Sequence, residues 1–130
     1  MSSLRLVAVL VPALLLAAGT ASAAASAAPW TRFPLPPSNP KTAVERGLVV
    51  FESRCQICHG DENDSAGTIS LGFKYNGTKP ALLQERRDLT PALVKFYVRH
   101  GTGMMPFFRK TELSDQEMDD VAAYLSRKKR

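Results

Sequence analysis

The chain has 130 residues, a formal net charge of +5 at pH 7 and two cysteines. This length allows one small domain and excludes larger architectures, and so small a core often needs a disulfide, a metal or a cofactor. The basic excess includes the C-terminal run Arg127 to Arg130. At the end of a helix such a run indicates a solvated, dipole-favoured end, so no nucleic-acid partner is expected.

The N-terminal residues have the features of an export signal. Arg5 precedes an apolar run from Leu6 to Ala18, and the small residues GTASAAASAA follow with several A-x-A cleavage sites. The run covers thirteen residues, fewer than the roughly 20 that span a bilayer, so no stable membrane anchor is expected. We expect cleavage of residues 1–23, with Ala28 as the alternative end, and a periplasmic mature protein.

A proline-rich segment follows the signal. Residues 29–41, PWTRFPLPPSNPK, hold five of the nine prolines and the only tryptophan. Proline lacks an amide hydrogen and fixes φ, so this segment is neither a regular helix nor a central strand. It is predicted to be an extended arm along the surface of the domain, and the alternative is a docking arm anchored by Trp30 and Phe33. The domain itself is expected over residues 42–130.

Three main helices are predicted in the domain. Each start carries a capping or first-turn signal, namely Thr42 with Glu45, Thr90 with Pro91, and Ser114 with Glu117. The first helix runs into the cysteine motif, and Gly101 ends the second. Apolar residues recur at helical spacing, and those expected to be buried are Val44, Leu48, Phe51, Cys55, Leu93, Val94, Tyr97, Val98, Met118, Val121, Ala122 and Leu125.

The segment of residues 63–83 lacks this periodicity. Glycines are frequent there and no period of 3.6 persists, so a short strand or a loop is predicted. The chain as a whole is therefore expected to be mostly helical, with long loops between the helices.

The stretch ESRCQICHG contains both cysteines, Cys55 and Cys58, directly before His59. Residues three and four apart share a face of a helical turn, so these side chains can face one flat ligand. A zinc site lacks a regular fourth ligand, a thioredoxin-like pair lacks its βαβ unit, and a disulfide would close a tiny loop. Attachment of haem c uses the whole C-x-x-C-H pattern, with two thioether bonds and His59 as the proximal iron ligand.

The distal iron ligand has few candidates. Met118 belongs to the apolar face of the last helix, and His100 is expected to end its own helix as a basic group. Met104 and Met105 lie in the loop HGTGMMPFF, where glycines give the backbone freedom to deliver a side chain. Composition does not decide between them, although the proline after Met105 biases that residue to an extended conformation and favours it.

Four segments together resemble the monohaem class I cytochrome c family: GLVVFESRCQICHG, KPALL, GTGMMPFF and LSDQEMDDVAAYL. The resemblance covers about the last two thirds of the chain. It implies an all-α, small cytochrome c fold, with the three main helices and long loops around one covalent haem. It also implies that Gly47 and Phe51 on the first helix cross the last helix near Tyr124 and Leu125.

The same resemblance assigns further residues to the haem site. Pro80 matches the family proline whose carbonyl accepts the ring N–H of the proximal histidine, His59. Met105 matches the distal ligand, and the tandem Met104 is an alternative ligand or a ring-packing neighbour. With both axial positions filled, the protein is expected to transfer electrons and not to be an enzyme by itself.

A finer resemblance runs from SLGFKYNG through PALLQERRDLTPALVKFYVRHGTGMMPFFRKTELSD. This part is similar to cytochromes that partner flavin-dependent alkylphenol dehydrogenases of the p-cresol methylhydroxylase type. It implies a flavoprotein partner that oxidises a phenolic substrate; the alternative is a diffusible shuttle to a terminal oxidase or another redox partner. Arg109 and Lys110 are candidates for steering an acidic partner, whereas Phe107 and Phe108 are expected to pack at the haem pocket rather than to dock.

Overall fold

The computed structural model describes Phe33, residues 35–61 and residues 64–128. Within these residues there is no β-strand, only an isolated antiparallel bridge between Thr102 and Met105. The helices are α1 (Ala43–Arg54), α2 (Gln56–His59), α3 (Ala66–Tyr75), α4 (Pro91–His100) and α5 (Asp115–Ser126), with a 3₁₀ helix at Leu83–Glu85. The prediction of an all-α fold is confirmed.

Some of the predictions concern residues outside this part of the chain. The export signal and Trp30 of the proline-rich arm lie outside the described residues. Of the helices in the described ranges, none is both long and apolar enough to cross a membrane.

The three predicted helix starts are confirmed by their caps. At α1, Thr42 Oγ1 accepts from the Glu45 amide at 3.2 Å, and Glu45 Oε2 accepts from the Thr42 amide at 2.9 Å. Ser114 and Glu117 make the same reciprocal pair at α5, at 3.2 and 2.8 Å. Thr90 caps α4 through its hydroxyl. Each cap satisfies an amide that the helix leaves unpaired and contributes about 1 kcal/mol.

The crossing of α1 and α5 holds the core together. A Cβ atom on Gly47 would lie 1.9 Å from the carbonyl oxygen of Asp120 and 2.7 Å from Cβ of Tyr124, so only glycine allows this approach. Beside it, the rings of Phe51 and Tyr124 have centroids 5.7 Å apart. Arg46 closes the crossing by donating from Nε and Nη2 to the buried Asp120 carboxylate, at 2.8 and 2.9 Å. The predicted crossing of the first and last helices is confirmed.

Most of the predicted apolar positions lie in one core formed by α1, α4 and α5. Val44 and Tyr97 are exceptions, because 37% and 38% of their surfaces are exposed. Leu93 is a third exception, because it is half-buried and lies outside the core. Tyr97 packs edge-on against Phe96, at 5.5 Å between ring centroids, on the solvent side of α4. The buried apolar residues of the core are Leu48, Val50, Phe51, Val94, Val98, Leu113, Met118, Val121, Ala122, Tyr124 and Leu125.

The prediction of a strand or loop over residues 63–83 was wrong for Ala66–Tyr75, which form α3, whereas residues 76–82 are turns and loop. None of its side chains is buried, and Ile69 and Phe73 are 43% and 84% exposed. A helix without a buried apolar face leaves little periodic signal in the sequence. Its glycines also argued against a helix. The glycine at Gly67 is explained by its close contact with Cys58 and His59, which the sequence alone does not show. Asn76, at φ 42°, ends α3.

Candidate functional site

The two cysteines lie at the junction of α1 and α2. The Cys55 amide donates to the Phe51 carbonyl at 2.9 Å and ends α1, while the Cys55 carbonyl accepts from His59 at 2.8 Å and from Cys58 at 3.1 Å. The C-x-x-C-H residues therefore share one tight helical turn. Cys55 is half-buried against the core and Cys58 is exposed.

No disulfide joins Cys55 and Cys58. Burial, together with the neighbouring Cys58, raises the pKa of the Cys55 thiol to about 12. A redox-active pair needs a cysteine whose pKa is lowered, since the thiolate is the reactive form. The environment of Cys55 therefore does not favour the reactive thiolate form.

His59 is held with one edge of its ring inside the protein. Its Nδ1 atom is buried and has no hydrogen-bond partner among the residues that the structure describes. Burial lowers the pKa of His59 below its ordinary value, which favours the neutral imidazole that binds metals. The carbonyl of Pro80 does not accept from Nδ1 in this structure, and that contact stays a prediction.

The loop after α4 presents the two adjacent methionines differently. Met105 is half-buried and packs against the core, whereas Met104 is 81% exposed. The amide and carbonyl of Met105 bond to the carbonyl and amide of Thr102, at 2.9 and 3.0 Å. Gly101 and Gly103 have φ of 66° and 56°, and a Cβ on Gly101 would lie 2.6 Å from the Met105 carbonyl oxygen. Glycine therefore allows the turn that directs Met105, and not Met104, inward.

The end of this loop is fixed to α4 and to the start of α5. The Phe108 amide donates to the Val98 carbonyl at 2.8 Å. Arg99 donates from Nη1 to the carbonyls of Phe108 and Leu113, both at 2.9 Å, and from Nη2 to Asp115 at 2.8 Å. These contacts attach the end of the methionine loop to α4 and to the start of α5.

The other distal candidates are engaged elsewhere. The His100 ring stacks on Phe96 with centroids 4.4 Å apart, and its Nδ1 lies 2.8 Å from the Phe96 carbonyl oxygen. His100 is exposed on α4, and Met118 is buried in the core, as expected for the first apolar position of the last helix.

Sequence reasoning missed a polar cluster that joins α3 to the loop before α4. Buried Arg86 donates from Nε and Nη2 to the Asp88 carboxylate, at 2.8 and 2.6 Å, and from Nη1 to the Tyr75 hydroxyl at 2.5 Å. The Arg86 guanidinium holds the pKa of Asp88 well below its usual range. Gln84 likewise donates to the buried Tyr124 hydroxyl at 2.8 Å. No local pattern links these partners, since most are far apart in the chain.

The donor set of this site fits a c-type haem better than a bare metal ion. Two thiols and a neutral, partly buried imidazole share one turn, and a thioether is held in a packed loop. Over residues 35–61 and 64–128, no group of three or more His, Cys, Asp or Glu side chains is placed to hold a metal ion. The residues present are those that thioether attachment and axial ligation require.

An all-α fold with a C-x-x-C-H turn defines a c-type cytochrome domain, and comparison with known proteins agrees. The family model described as "Cytochrome C oxidase, cbb3-type, subunit III" matches residues 42–125, and the chain belongs to this family. The family implies one covalently bound haem c as the cofactor.

The chain is also similar to a curated protein, cytochrome c6 of Synechocystis sp. (strain ATCC 27184 / PCC 6803 / Kazusa). The two are 30% identical over 79 residues, which are 61% of this chain and 60% of cytochrome c6. The match thus spans less than two thirds of that relative. Neither comparison bears on the finer resemblance to cytochromes that partner flavoproteins.

Proposed function

We propose that this chain is an exported electron carrier in which Cys55 and Cys58 hold haem c and His59 and Met105 are the axial ligands. The observation that carries the proposal is the single turn that presents both thiols and the buried imidazole in a domain of this family. When bound, haem c supplies an iron that alternates between the ferric and ferrous states.

The two proposed axial ligands explain why the protein should transfer electrons and not catalyse a reaction. His59 and Met105 would fill both axial positions and leave none for oxygen, peroxide or an organic substrate. The backbone bonds of Met105 to Thr102 fix the loop, so little rearrangement is needed when the charge at the site changes. Methionine as a ligand and an apolar surrounding both favour the ferrous state and raise the reduction potential.

Met105→Ala and Met104→Ala form a matched pair that tests the distal ligand. Met105→Ala should abolish the weak long-wavelength charge-transfer band of the ferric protein, lower the potential and let the ferrous protein bind carbon monoxide. Met104→Ala should change none of these, because Met104 is 81% exposed. Visible spectra with and without carbon monoxide are the measurement.

If Met104→Ala loses the band and Met105→Ala keeps it, the distal ligand is Met104. If both variants keep the band and exclude carbon monoxide, either the two methionines replace each other or Met118 supplies the thioether. A wild-type ferric protein that lacks the band would make His100 the next candidate to replace.

As the physiological role, we propose that the carrier accepts electrons in the periplasm from a flavin-dependent dehydrogenase that acts on phenolic substrates. The finer sequence resemblance and the export signal support this role, and a diffusible shuttle is the alternative. The surface near Met105 offers contacts, because Met104 and Phe107 are 81% and 59% exposed. Arg109 and Lys110 follow them in the chain and are also exposed.

These two basic residues already have acidic partners within the chain. Arg109 lies 3.0 Å from Glu112, and Lys110 lies 2.7 Å from Asp115. Exposed pairs of this kind are weak, typically below about 1 kcal/mol, so a partner can compete for both cations. Steering by this loop should therefore be modest and sensitive to salt.

Reversing both charges, Arg109→Glu with Lys110→Glu, should slow the reduction of the haem by an acidic flavoprotein at low salt. The effect should shrink as salt is added, because exposed charges are screened. Lys41→Glu with Lys128→Glu changes the net charge equally at the ends of α1 and α5 and serves as the control. Stopped-flow reduction rates across ionic strength would reject this docking surface if the two double variants behaved alike.

A further inference from the structure

The first turn of α3 lies against the C-x-x-C-H turn. Thr68 Oγ1 donates to the Gly60 carbonyl at 2.7 Å, directly after the histidine. The closest approach is at Gly67. A Cβ atom there would lie 2.6 Å from the Cys58 carbonyl oxygen, 2.8 Å from Cε1 of His59 and 3.0 Å from its Nδ1.

Space, and not backbone conformation, is the reason for glycine at this position. Gly67 is not among the residues with positive φ, so its backbone suits any amino acid. Cβ atoms essentially never approach other heavy atoms within 3.0 Å, so a side chain at Gly67 must move the His59 ring or lift α3. The ring edge beside Gly67 carries the buried Nδ1 that has no partner in the described part of the chain.

We propose that Gly67 is a positioning residue for the axial histidine. The bare backbone of α3 at this position sets the plane of the His59 imidazole. The inference rests on the proposed function, because it requires His59 to bind the iron through Nε2. Turning the ring would change the hydrogen bonding of Nδ1, including the predicted bond to the Pro80 carbonyl, and the basicity of an imidazole ligand depends on that hydrogen bonding.

Gly67→Ala tests this, and Gly72→Ala is the matched control. Both glycines lie in α3, but a Cβ on Gly72 would meet only the Ala81 Cβ, at an ordinary 3.9 Å. Gly67→Ala should change the spread of the haem-methyl proton shifts in the ferric protein, which report the plane of the axial imidazole. It should also shift the potential, because a turned ring changes the hydrogen bonding of Nδ1. Gly72→Ala should leave both unchanged.

The outcomes separate the inference from the proposed function. A wild-type protein whose spectra show no histidine bound to iron contradicts the proposed function before any variant is made. If histidine does bind the iron, and Gly67→Ala keeps the haem-methyl proton shifts and the reduction potential of the wild type, the positioning role is overturned. If the Gly67→Ala variant does not fold or attach haem, the variant Thr68→Val tests the positioning role instead. It removes only the bond to Gly60, and it should move the shifts and potential in the same direction but less, whereas wild-type values would overturn the inference.

Discussion

Replacing both Cys55 and Cys58 with serine should abolish covalent haem attachment completely. A serine hydroxyl cannot form the thioether bonds, and the chain has no other cysteine to substitute. The mass of the denatured protein should then equal that of the polypeptide alone. Each single variant should keep one thioether and shift the visible spectrum of the denatured haem, because one vinyl group stays unreacted.

The loss of haem should also loosen the fold. None of the α3 side chains is buried against the rest of the chain, and a domain this small has a limited core. The double serine variant should therefore be less helical by circular dichroism and more sensitive to protease than the wild type. A double variant that still carries covalent haem would contradict the assignment of both thiols.

Gly47→Ala should cause a large loss of stability. Its Cβ would lie 1.9 Å from the Asp120 carbonyl oxygen, and neither backbone can yield without separating α1 from α5. Forcing bulk into a packed contact of this kind costs about 3 kcal/mol, which corresponds to a fall in Tm of roughly 10 °C or more. Thermal unfolding of the haem-loaded protein measures the effect.

Gly72→Ala is again the control for this stability measurement. Alanine is the better helix former, and this site has space for a methyl group, so the control should be stabilised by about 0.5 to 1 kcal/mol. Equal Tm values for Gly47→Ala and the wild type would show that α1 and α5 do not approach as closely as described.

Features that depend on neighbouring residues were predictable from the sequence. The caps at Thr42 and Ser114 need only a partner three residues away, and C-x-x-C-H is complete within five residues. The crossing at Gly47 was predictable only through a family resemblance, because the atoms it faces belong to α5. Local signals therefore located the helices and the attachment turn.

Features that depend on distant contacts were missed or left open. The proline after Met105 only favoured it over Met104, whereas the packing of Met105 against the core depends on the folded chain. The helix α3 was missed because its apolar residues are exposed and its glycines resemble loop residues. The role of Gly67 depends on the position of the His59 ring, which only the folded chain shows.

A potentiometric titration of the purified mature protein, followed by its visible spectrum, tests the central claim most directly. The account predicts one transition with a one-electron slope of about 59 mV per decade, in which the ferrous haem bands rise and the protein contains no titratable thiol. A colourless protein that shows no visible transition and has titratable thiols would contradict it, because Cys55 and Cys58 would then not be bound to haem.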